Sequence, residues 1–91
     1  MLYLIVYDVE EDAIRRKVAN MLLDMGGERI QYSAFKIELE KAELAALMEK
    51  IRKTVGTGKA RVTAIPICRR DIDKVKTIAH NYHLPASDVL I

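Results

Sequence analysis

The sequence predicts an α+β domain whose elements run β-α-β-β-α-β. Three observations carry this: an apolar run over residues 2–8, two stretches whose apolar residues recur at helical spacing, and strand-like segments over 28–40 and 60–67. That order is the split βαβ arrangement of ferredoxin-like folds, one antiparallel sheet with two helices on one face. At 91 residues the chain suits a single domain with a modest core. The core is expected over about residues 1–68, with a C-terminal extension over 69–91.

The first strand, Leu-Tyr-Leu-Ile-Val-Tyr-Asp, has six strand-favouring side chains in a row and reads as covered on both faces. It ends on Asp8, which either starts a turn or holds something positive, because a buried ionised carboxylate needs a partner. Glu10–Asp12 supply an acidic helix start, which the helix dipole favours. Ile14, Val18, Met21, Leu22 and Met25 then share one helix face, and Gly26-Gly27 ends the helix. Over 28–40 the alternation runs in two phases, Ile30, Tyr32 and Ala34 followed by Phe35, Ile37 and Leu39. The slip between Ala34 and Phe35 predicts a bulge or a very tight strand-to-strand junction. Leu44, Leu47, Met48, Ile51 and Val55 make the second helix, broken at Gly56-Thr-Gly58. Pro66 directs the end of the 60–67 strand to an edge or bulge. Beyond it, Asp71–Lys74 suit a helical turn and Val75–Ala79 a further strand, and the terminal Val89-Leu90-Ile91 needs cover. A homodimer, with this extra C-terminal strand reaching the partner's sheet edge, would cover both the open sheet face and that tip.

Charge is segregated although the net charge is only +2. Asp8, Glu10, Glu11 and Asp12 stand without a base, while Lys50, Arg52, Lys53, Lys59, Arg61, Arg69 and Arg70 stand in a stretch without an acid. That pattern suits either a nucleic-acid binder with a metal site or two solvated surfaces of opposite sign. With Cys68 the sole cysteine, an intrachain disulfide and a cysteine-based zinc site are both excluded, and the residue reads as small and buried near a strand end. His80 and His83 read as surface residues. No run approaches about 18 apolar residues and no basic leader precedes one, so a cytoplasmic protein away from membranes is expected.

Several residues could carry chemistry. Asp8 is a turn-forming aspartate or a metal ligand. One carboxylate cannot hold Mg²⁺ alone, but a dimer axis near Asp8 would bring up a second, and a cation there could activate water beside a scissile phosphate. Arg15, Arg16 and Lys17 lie at the start of a helix, where positive charge opposes the dipole. Arg15 can pair with Asp12 at i, i+3 or contact phosphate. Arg29 and Ser33 are either plain strand and turn residues or site residues. The sole phenylalanine, Phe35, is either core or a base-stacking ring, and Tyr7 and Tyr32 read as sheet core whose hydroxyls need partners.

Taken together, the strand ending Tyr7-Asp8, the basic positions Arg15 to Lys17 and the segment Arg29-Ile-Gln-Tyr-Ser-Ala-Phe35 resemble the small CRISPR-associated endoribonuclease family, whose members are the adaptor subunit of the spacer-acquisition integrase. The resemblance covers roughly the first 70 residues, through Arg61-Val62 and Ile67-Cys68-Arg69-Arg70. It implies a ferredoxin-like homodimer in which Asp8 binds a divalent metal, Mg²⁺, at the subunit interface. It places Tyr7, Asp8, Ser33 and Phe35 at the catalytic centre and Arg15, Lys17 and Arg29 near the nucleic acid. Lys17 stands where an arginine is common. Arg16, Arg52, Lys53 and Lys59 add basic charge for gripping a nucleic-acid backbone.

Two functions follow: a Mg²⁺-dependent endonuclease on RNA or duplex DNA within the acquisition machinery, or a non-catalytic adaptor that grips duplex DNA and bridges integrase subunits. A small-molecule-sensing regulatory domain would need a ligand loop, for which only Gly56-Thr-Gly58 offers itself. An RNA-recognition domain would need an aromatic strand pattern that is absent.

Overall fold

The computed structural model describes residues 1–84. Strand β1 (Leu2–Val9) leads into helix α1 (Asp12–Asp24), the hairpin β2 (Glu28–Gln31) and β3 (Ala34–Glu38), helix α2 (Lys41–Val55), strand β4 (Ala60–Ile67) and a single turn, α3 (Arg69–Ile72). The four strands form one antiparallel sheet in the order β2-β3-β1-β4, which puts β1 in the interior and β4 at an edge. Pro66 lies in that edge strand, where a missing N–H costs no ladder bond.

Alternation along β1 decides the architecture. Tyr3, Ile5, Tyr7 and Val9 point to the covered face and are buried with Phe35, Ile37 and Leu39, against Val18, Ala19 and Leu22 of α1 and Leu47 and Ile51 of α2. The register places Ile5 opposite Phe35 and Tyr3 opposite Ile37. On the other face, Leu4 is half-buried and Val6 is 42% exposed, and Ile65 of β4 is 43% exposed. A single chain therefore covers one face of β1, whereas the apolar run alone predicts two covered faces.

The helix ends follow from their residues. After α1, Gly26 takes φ +84° and donates its N–H to the Leu23 carbonyl, and Gly27 donates to the Leu22 carbonyl, a Schellman closure. At α2, Glu40 and Glu43 form a reciprocal capping box. The β2–β3 junction is the tight one expected, but it turns at Tyr32-Ser33, and the register shift falls between Arg29 and Gln31 rather than at Ala34.

Three expectations are corrected. Cys68 is exposed, because it lies past the end of an edge strand and leads into α3. Val75–Ala79 forms no strand within the single chain: it borders Ile30 and Gln31 of the edge strand β2 without entering the ladder. The helical turn that the sequence predicts over Asp71–Lys74 begins earlier, at Arg69. The apolar tip Val89-Leu90-Ile91 lies outside the described residues. Among the described residues no helix is long and apolar enough to cross a membrane.

Candidate active site on the open sheet face

Asp8 is the last side chain of β1 to point away from the helices, and it is exposed. In the β1–β4 ladder it stands directly opposite Arg61, with Val6 opposite Thr63 and Leu4 opposite Ile65. Side chains paired in this way share a face, with Cβ atoms about 4.5–5.5 Å apart. The open face thus carries an apolar strip, Leu4, Val6 and Ile65, that ends in a carboxylate beside a guanidinium. Glu10 and Lys59 extend the charged end, with Lys59 Nζ 3.9 Å from Glu10 and the Lys59 carbonyl accepting the Glu10 N–H at 3.1 Å. The acidic segment and the middle of the basic stretch, Lys59 and Arg61, are consequently neighbours across a strand pair.

Tyr7 lies on the opposite face from Asp8, as adjacent strand residues must. Its ring is buried and stacks on Phe35, with centroids 6.2 Å apart. Its hydroxyl donates to the Tyr32 carbonyl at 3.4 Å, and its N–H donates to the Ser33 carbonyl at 3.0 Å. Phe35 is fully buried, so it packs the core and has no face free for a base. Of the four residues that the resemblance places at a catalytic centre, Asp8 presents its side chain on the open face, whereas Tyr7 and Phe35 are turned into the core. Ser33 stands half-buried in the β2–β3 turn, its carbonyl bonded to the Tyr7 N–H.

A second cluster gathers at the β2–β3 turn. The Arg15 guanidinium lies 5.5 Å from the centre of the Tyr32 ring, and that of Arg29 lies 5.9 Å from the same ring and 4.8 Å from Phe35. Arg29 also donates to the Tyr32 carbonyl, and the Tyr32 N–H donates to the Tyr82 hydroxyl at 2.9 Å. Arg15 pairs with Asp12 at 2.8 Å, which offsets its unfavourable place at a helix start. Arg16 is half-buried and Lys17 exposed on the same turn of α1.

At the far end of α2, Arg52 grips Glu49 through two bonds of 2.9 and 2.6 Å. The guanidinium holds the Glu49 carboxyl below its ordinary value, and Glu49 raises Arg52 in turn. Arg52 thus spends its fork on a neighbour, while Lys53 beside it is exposed. Sequence reasoning read Arg61 and Glu10 only as members of the basic stretch and the acidic helix start, not as residues of the site. The signal was present: in this strand order the start of β4 must run antiparallel to the end of β1.

The donor set bears on whether a cation fits. Among the described residues no three His, Cys, Asp or Glu side chains gather to hold a metal. One chain supplies Asp8 with Glu10 nearby, which matches the oxygen chemistry of Mg²⁺ but falls short of a closed site; that ion takes one or two carboxylates and fills the rest with water and phosphate. A second copy of Asp8 would complete the pair.

These features define a small ferredoxin-like domain with helices on one sheet face and, on the other, an apolar strip ending in an acid–base pair. The chain belongs to the family of the CRISPR-associated protein Cas2, whose model matches residues 1–75. It is 37% identical over 70 residues to the CRISPR-associated endoribonuclease Cas2 1 of Archaeoglobus fulgidus, covering 77% of this chain and 74% of that protein. It is 31% identical over 82 residues to the CRISPR-associated endoribonuclease Cas2 of Desulforudis audaxviator, covering 90% of this chain and 77% of that protein. In Thermoproteus tenax the similar region, 34% identical over 73 residues, forms 28% of a fusion of endonuclease Cas1 with endonuclease Cas2. The fold matches that of Streptococcus pyogenes Cas2 at pH 6.5 with a TM-score of 0.77 over 87% of this chain and the whole of the other, at 21% identity.

Proposed function

We propose that this protein is a Mg²⁺-dependent endonuclease of CRISPR spacer acquisition, acting on RNA or duplex DNA as a homodimer whose two Asp8 carboxylates face one gap. The observation that carries the reading is the place of Asp8: exposed, at the end of an apolar strip that one chain leaves uncovered. Burying side chains of the size of Val6, Leu4 and Ile65 is worth about 1.5–3 kcal/mol each when complete, so a second copy seated on the strip gains stability and brings the carboxylates together. Mg²⁺ between them would supply a Lewis acid for the phosphoryl oxygen and for the attacking water. The chain's own part is to fix β1 rigidly through Tyr7 and Phe35, to keep Asp8 in place, and to bring a phosphodiester to it. Attack by water would leave a 5′-phosphate and a 3′-hydroxyl. The names of the Archaeoglobus and Desulforudis relatives support endoribonuclease activity.

The Thermoproteus fusion favours a second role, as the adaptor that joins integrase subunits, with or without cleavage. One assay separates the two. Purified wild type and Asp8→Ala are incubated with RNA and with duplex DNA, in Mg²⁺ and in chelator. The endonuclease reading expects cleavage by wild type in Mg²⁺ alone and a loss of at least about 100-fold in Asp8→Ala, the scale on which removing a catalytic electrostatic group acts. Cleavage that survives in Asp8→Ala contradicts it. Wild type that binds duplex DNA without cleaving either substrate establishes the adaptor alone.

A further inference from the structure

Arg61, like Arg16 and Arg70, makes no ion pair or side-chain hydrogen bond among the described residues, and it alone of these three stands in the sheet. Arg15, Arg52 and Arg69 each rest on a carboxylate, whereas Arg61 does not, although it stands directly opposite Asp8. Both side chains are exposed, and at the charged end of the strip they border one hollow with Glu10 and Lys59. A carboxylate alone repels the phosphates that its proposed chemistry requires. A guanidinium one strand away supplies a planar fork of donors that matches a phosphate's oxygens, and β4 holds it in register, where a loop would let it wander.

We propose that Arg61 is the phosphate-positioning residue of the Asp8 site, its guanidinium holding a phosphodiester of bound nucleic acid beside the carboxylate. The inference rests on the reading of Asp8 given above, but its test is independent of cleavage. Affinity for a labelled RNA and a labelled DNA duplex is measured in chelator over a range of salt concentrations, for wild type, Arg61→Gln, Arg61→Lys, Asp8→Asn and the double variant Asp8→Asn/Arg61→Gln. Arg61→Gln should weaken binding roughly tenfold at moderate salt and reduce the slope of log affinity against log salt by about 1, the signature of one lost phosphate contact. Arg61→Lys keeps the charge and should restore the slope. Asp8→Asn removes the repulsion and should tighten binding. Because the two groups share one site, the cost of Arg61→Gln should be larger, by about threefold or more, in the Asp8→Asn background than in wild type. Unchanged affinity and slope in Arg61→Gln overturn the inference. So do an Arg61→Lys variant as weak as Arg61→Gln, or effects at residues 8 and 61 that simply add. Failure of the metal reading shows instead in the cleavage assay with Asp8→Ala, which none of these binding measurements uses.

Discussion

The two faces of β1 are built from the same kinds of residue and do opposite work. On the helix side, Tyr3, Ile5, Tyr7 and Val9 are sealed under α1 and α2 and exposed by less than a tenth. On the other side, Leu4 and Val6 stand half-covered and Asp8 is open to water. Tyr7 and Asp8 are adjacent in sequence, yet one is a core ring and the other the reactive-group candidate. The contrast separates what holds the domain together from what the domain presents, and substitutions on the two faces should separate stability from function.

Phe35→Ala on the covered face should have the largest effect, a loss of about 3–5 kcal/mol in denaturant unfolding, because it empties the space between Tyr7 and Arg29 in a fully buried site. Gly27→Ala should come next. Its Cβ would lie 2.7 Å from the Leu22 carbonyl oxygen and 3.2 Å from Phe35 Cδ2, so the α1 end must shift, at a cost of about 1–3 kcal/mol in the same measurement. Asp8→Ala, across the sheet from Tyr7, should change stability by less than about 0.5 kcal/mol, as exposed surface substitutions do. A large loss there would erase the distinction between the faces.

The smallest effect should come from Glu49→Gln on α2. The Glu49 carboxyl is held low by Arg52, so the pair adds stability above the ordinary carboxylate range and loses it as pH falls through the lowered value. The variant should therefore differ from wild type near neutrality and converge with it in acid, read by unfolding at a series of pH values. It also frees the Arg52 fork, and affinity for duplex DNA at low salt should rise slightly. No change in either property would show the pair to be inert.

Much of this division was legible in the sequence. The helix faces, the glycine closure after α1 and the apolar character of β1 all follow from periodicity and local backbone preference. Asp8 stood out because a carboxylate ends an apolar strand. What the sequence hid were the relations between segments. Periodicity cannot say which side of β1 a helix covers when both sides are apolar; Tyr7 and Phe35 read from their own residue types as core, and only the family resemblance set them beside Asp8 in function. Acidic residues 8–12 and the basic stretch after residue 50 looked remote because their proximity depends on the β1–β4 register. Arg61 was hidden for the same reason. The segment over Val75–Ala79 has strand-like composition, but composition does not fix pairing, and the segment borders the β2 edge without joining its ladder.

The central claim is that the open face works only when two copies share it. Sedimentation of wild type and of the double variant Val6→Lys/Ile65→Lys, with cleavage of RNA and duplex DNA measured on the same samples in Mg²⁺, tests it most directly. Both substitutions lie on exposed positions of the strip, so the variant should keep its fold by circular dichroism. The account predicts a dimeric wild type that cleaves and a folded, monomeric variant that does not. A monomeric wild type, or a monomeric variant that cleaves undiminished, would contradict it.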